Sequence, residues 1–95
     1  MNINTINDLR SAIKSERLFE KYDLERIGVF GSFARGESAH DIDFYIDLEK
    51  YNFKNLLNLK KELEAITEKG VDIMLKKYAN PIVLHRAKKD MIYVT

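Results

Sequence analysis

Gly31-Ser32-Phe33-Ala34-Arg35-Gly36, then Asp41-Ile42-Asp43-Phe44-Tyr45-Ile46-Asp47-Leu48, is the stretch that decides the reading of this chain. Its second half alternates. Ile42, Phe44, Ile46 and Leu48 point one way, and Asp41, Asp43, Tyr45 and Asp47 the other, which is the period of a strand with one buried face. Just upstream, Arg26-Ile27-Gly28-Val29-Phe30 reads as a buried strand that the Gly31-Ser32 turn ends. Downstream, Val71-Asp72-Ile73-Met74-Leu75 reads as a third strand with an acid inside an apolar run. Acids are rarely buried without a partner, so that position calls for a reason.

The remaining segments read as helices around these strands. Asn4-Thr5 followed by Asp8 resembles a capping box, and Ile6, Leu9, Ala12 and Ile13 then recur at helical spacing. Ser15 is expected to cap a short second helix carrying Leu18, Phe19 and Tyr22. Asn52 through Lys69 reads as an amphipathic helix. Its expected apolar stripe is Phe53, Leu56, Leu57, Leu63 and Ile66, with Lys54, Asn58, Lys61 and Glu62 outward and Gly70 as the C-terminal cap. Asn80-Pro81 opens a last helix, and Met91–Val94 is expected to add an edge strand. The order α-α-β-β-α-β-α-β predicts an α/β (α+β) fold, with helices packed on a small mixed sheet.

The 95 residues suffice for one domain over 1–95, with a thin core. The net charge of +1 argues against a nucleic-acid surface as the main function. The charge is uneven: residues 76–95 hold Lys76, Lys77, Arg86, Lys88 and Lys89 against Asp90 alone. Such a segment suits triphosphate or an acidic partner, or is simply a solvated face. The absence of cysteine excludes a disulfide framework and a thiolate metal site, and suits a reducing cytoplasm, the expected location. Met1–Asp8 lacks the basic and apolar regions of a signal peptide, and no aliphatic run is long enough to span a membrane.

Chemistry concentrates on a few side chains. Asp41 and Asp43, two apart on a strand, project from one face roughly 7 Å apart at Cα. Two ionised carboxylates that close repel unless a cation sits between them. Oxygen-only ligands favour Mg²⁺ or Mn²⁺ over zinc. If the second and third strands pair, Asp72 joins the same surface, and three such acids can hold two ions that bridge a triphosphate. Before them, Gly31 permits a tight turn. Ser32 offers a hydroxyl and an N–H at the start of a short helical turn expected over Phe33–Arg35, where N–H groups bind phosphate. Arg35 reads as a further phosphate contact or a surface arginine. No G-x-G-x-x-G or P-loop is present, and His40 and His85 lack zinc spacing.

These residues together resemble a known family. The Gly31-to-Glu37 run, then Asp41-Ile42-Asp43 and Val71-Asp72-Ile73, look like the minimal nucleotidyltransferases (MNT type) of the polymerase-β-like superfamily, across most of the chain. The resemblance implies that Gly31 and Ser32 hold the β- and γ-phosphates of ATP. It implies that Asp41 and Asp43 bind two magnesium ions, and that Asp72 binds one of them and helps deprotonate the acceptor. It further implies the antitoxin half of a toxin–antitoxin module, whose partner is a helical HEPN-type ribonuclease toxin. AMP would pass from ATP to a tyrosine hydroxyl of that toxin, within a hetero-oligomer. Two other readings stand beside it. One is an antitoxin that neutralises its toxin by binding alone. The other is transfer to a small-molecule acceptor, for which a chain of this size leaves little room.

Overall fold

A computed structural model describes residues 3–94. Thr95 lies outside them, as do Met1 and Asn2, the first residues of the stretch read above for a signal peptide. The elements are α1 (Ile6–Ser15), α2 (Leu18–Tyr22), β1 (Leu24–Phe30), α3 (Gly31–Ala34), β2 (Asp41–Leu48), α4 (Phe53–Thr67) and β3 (Gly70–Leu75). A 3₁₀ turn (Lys76–Tyr78), α5 (Pro81–Ala87) and β4 (Ile92–Tyr93) complete the chain. The expected order holds, and Ile92–Tyr93 forms an edge strand.

The sheet runs β3-β2-β1-β4. β1 pairs antiparallel with β2 and β4, whereas β2 and β3 are parallel, so the sheet is mixed. Strand register sorts the side chains into two faces. Ile27 and Val29 stand opposite Ile46 and Phe44, and Ile42 stands beside Val71. These apolar side chains meet Leu9, Ile13, Leu18, Leu59, Leu63 and Ile66 from the helices, and all are buried. The capping box forms as expected. The Thr5 hydroxyl accepts from the Asp8 N–H, and the Asp8 carboxylate accepts from the Thr5 N–H.

Several local expectations are corrected. α1 runs through Ser15, and the N-cap of α2 is Arg17, in the left-handed region at φ 53°. In α4 the buried stripe is Leu59, Leu63, Ile66 and Thr67, while Phe53 and Leu57 are exposed. The reason is angular. At 3.6 residues per turn, Leu57 and Leu59 lie about 200° apart, so they cannot share a face. Leu59 aligns with Leu63 and Ile66 at helical spacing and takes the core. Gly70 is not the cap of α4. Glu68 takes the left-handed position at φ 57°, and Gly70 opens β3. There it stands opposite Asp41, whose carboxylate lies where a Gly70 Cβ would be.

The connection from β3 to β4 must travel from one edge of the sheet to the other. It crosses the face that carries the acids. At its start Lys76 bonds Asp47 at 3.2 Å. At its end Met91 packs where a Gly28 Cβ would point, on the face that Gly28 shares with Tyr45. Tyr45 and Asp47 were expected on an open face. They are on that face, but Tyr45 is buried and Asp47 half-buried, since this connection passes along it.

Candidate active site

The sequence places Asp41 and Asp43 on one strand. The pairing of β2 with β3 brings in the third acid. Asp43 stands in register with Asp72, and Asp41 lies one pleat further along the same face. Asp43 is half-buried, and Asp41 and Asp72 are exposed. Burial, then the carboxylates of Asp72 and Asp41, push the Asp43 pKa above the ordinary carboxylate value. Among the described residues, no lysine, arginine or histidine forms an ion pair with any of the three. The surface is a concentration of uncompensated negative charge.

The turn above it starts earlier than expected. α3 begins at Gly31, not at Phe33, with Phe30 as an extended N-cap. All four residues Gly31–Ala34 therefore belong to a first turn, whose N–H groups have no partner inside the helix. Gly31 sits at φ 75°, and the Asp43 carboxylate occupies the place a Cβ would take. The glycine is needed on both counts: the left-handed conformation and the close approach. It also ties the turn to the acids, since Phe30, the residue before it, is paired across the ladder with Asp43. Ser32 is half-buried beside it.

Arg35 is placed differently from the other candidates. Its Nε donates to Glu37 at 2.7 Å and its Nη1 to Asp90 at 2.8 Å. Glu37 first, and then Asp90, hold its pKa above even the usual arginine value. The guanidinium thus joins α3 to the end of the segment that follows α5. Sequence reasoning missed this clasp, because Asp90 lies 55 residues away. His40 is exposed, and its carbonyl accepts from the Gly70 N–H at 3.3 Å, which makes it part of the β2–β3 start.

Among the described residues, no three acidic or histidine side chains gather tightly enough to hold a metal ion by themselves. The donor set still fits magnesium, an ion that takes one or two carboxylates and completes its shell with waters and substrate phosphates. The Asp43 pKa is raised first by burial and then by the Asp72 and Asp41 carboxylates, and a cation would relieve the second part. Asp43, with Asp41 and Asp72 on either side, would hold such an ion.

The chain is similar to several known proteins. Residues 13–95 match the family described as "Polymerase beta, Nucleotidyltransferase". A Methanocaldococcus jannaschii protein provisionally named a protein adenylyltransferase is 33% identical over 100 residues, covering 97% of this chain and 100% of that protein. A solved structure described provisionally as a minimal nucleotidyltransferase superposes with a TM-score of 0.76 at 26% identity, over 93% of this chain and 94% of that one. A re-refined structure of a tri-AMPylated Shewanella oneidensis HEPN toxin in complex with an MNT antitoxin matches with a TM-score of 0.68. Its identity is 16%, with 93% of this chain and 71% of that one covered, so this likeness concerns the fold. The expected resemblance is met in sequence and in fold, and the chain belongs to the polymerase-β nucleotidyltransferase family, in its minimal form.

Proposed function

We propose that this chain transfers AMP from ATP to a hydroxyl, that of a tyrosine on a HEPN-type ribonuclease partner, and so acts as an antitoxin in the cytoplasm. The observation that carries the reading is Asp43 in register with Asp72, with Asp41 beside them and Gly31 pressed against the Asp43 carboxylate. The relative named for protein adenylylation and the fold's likeness to an antitoxin in complex with an AMPylated HEPN toxin support a protein acceptor.

In this reading the N–H groups at Gly31 and Ser32 hold the outer phosphates of ATP. Asp41, Asp43 and Asp72 hold magnesium, which when bound neutralises the phosphate charge. The acceptor hydroxyl oxygen forms a bond to the α-phosphorus, its proton passing to the exposed Asp72 carboxylate. The bond from the α-phosphorus to its bridging oxygen breaks, and pyrophosphate leaves. Positioning and charge carry most of such a reaction, which is why so small a site suffices.

Incubation of the chain with its HEPN partner, ATP and Mg²⁺ should add mass to the partner in steps of one AMP. Asp72→Asn, nearly isosteric on an exposed position, should keep the partner bound while transfer is lost. If that variant still protects cells at native expression, binding alone neutralises the toxin.

Arg35 has its Nε and Nη1 engaged by Glu37 and Asp90, and these contacts compete with any phosphate for the guanidinium. Removing one of those holds by Asp90→Asn should tighten Mg-ATP binding a few-fold in calorimetry. It should hardly move the unfolding midpoint, because exposed ion pairs are screened by solvent. Weaker nucleotide binding would instead make the clasp a support of α3.

A further inference from the structure

We propose that the outer wall of α5, with the turn before it, is the surface on which the acceptor protein docks, and that the docked face is apolar with an acidic rim. This rests on the transfer reading above and adds to it where the acceptor sits.

The wall is unusual for its apolar exposure. Tyr78 is 69% exposed, Ile82 68% and Val83 49%. Along α5, Leu84 is half-buried and Ala87, three residues on, is buried. Ile82 lies about 140° round the helix from Ala87, and Val83, about 40° from it, is still exposed at the start of the helix. They are held firmly there, since the Asn80 side chain accepts from both their N–H groups and Pro81 occupies the first helical position. A fixed apolar surface loses little freedom on binding. Tyr78 is fixed likewise, edge-on to Tyr51 with ring centroids 5.8 Å apart.

Charge decides the kind of partner. Lys76 is spent on Asp47, and the one acid of the segment, Asp90, is spent on Arg35. Lys77, Arg86, Lys88 and Lys89 are exposed, and none has a carboxylate partner among the described residues. Lys77 lies instead over the Tyr51 and Tyr78 rings, at 5.5 and 5.6 Å. An apolar centre with a cationic border fits an apolar face bordered by Asp and Glu.

Position ties the surface to the chemistry. The β3-to-β4 connection crosses the face of the sheet that carries Asp41, Asp43 and Asp72, and its end is clasped to α3 by Arg35. The segment after α5 is thereby held to α3, the turn pressed against Asp43, while the turn before α5 meets Asp47 further along the same strand. Phe53 and Leu57 form a second exposed apolar pair, but they lie on α4, whose buried stripe packs on the opposite face of the sheet.

The test uses the full chain and the HEPN partner, with two variants. Ile82→Ser with Val83→Ser removes the apolar centre, and Lys88→Glu with Lys89→Glu reverses the border on exposed positions that the fold does not need. Each should weaken partner binding about tenfold or more. The charge variant should also slow association at low salt. Mg-ATP binding should match wild type, and transfer should show a raised KM for the partner with kcat retained. Phe53→Ser should change none of these. Partner binding within twofold of wild type in both variants overturns the proposal, as does a wild-type chain that does not bind the partner, or one that uses α5 to pair with its own copies in sedimentation. A wild-type chain that binds but adds no AMP, with binding lost in the variants, upholds the docking surface and overturns the transfer reading.

Discussion

Asp43→Asn lowers nucleotidyl transfer by about 10³-fold or more, yet leaves the metal-free fold as stable as before or slightly more so. Asp43 is the acid with the most neighbours in the site: Asp72 in register on one side, Asp41 along the strand, Gly31 above. Removing its charge removes a central oxygen ligand for the ion that Asp41 and Asp72 would share. The stability claim follows from the pKa. Burial and two nearby carboxylates raise it in the folded chain, so the fold binds this proton more tightly than the unfolded chain does. Stability contributed by the neutral form is present at low pH. It is lost as pH rises from the ordinary aspartate range through the raised value. The asparagine has no such loss. Denaturant unfolding in a chelator, at acidic and neutral pH, should show a smaller decline for the variant than for wild type. Transfer retained within tenfold of wild type would remove Asp43 from the site.

Gly31→Ala is expected to damage both stability and rate. The backbone at φ 75° disfavours any side chain, and the new Cβ meets the Asp43 carboxylate. Together these should cost about 2–3 kcal/mol of stability. The carboxylate or the turn must move, and a shift of roughly 1 Å in a positioned group costs about a hundredfold in rate. Gly36 supplies the control. It has the same kind of backbone, φ 79°, but nothing within 4 Å of its Cβ position. Gly36→Ala should therefore cost about 1 kcal/mol and leave the rate within a few-fold. If the two alanines behave alike in transfer assays, the contact between Gly31 and Asp43 has no part in the chemistry.

Much of this was legible in the chain itself. The alternation from Ile42 to Leu48, the Thr5–Asp8 cap and the Asn80-Pro81 start are local patterns, set by neighbours within a few residues, and the structure keeps them. The glycine-serine turn followed by the acids was equally local, and the family resemblance rested on it. What only the tertiary structure decided is non-local. Two strands with acids predict no shared site until their direction and register are set. The parallel pairing that puts Asp43 beside Asp72 joins residues on either side of a fifteen-residue helix. The apolar residues of α4 outnumber the places on one face, and packing against the sheet, not composition, chose Leu59 over Leu57. The partners of Arg35 and the burial of Tyr45 both depend on where the β3-to-β4 connection crosses, and no local periodicity encodes that path. Local periodicity settles which elements form and which side each presents. Packing between elements distant in sequence settles which charges meet, and for this chain that is what makes three scattered acids a single surface.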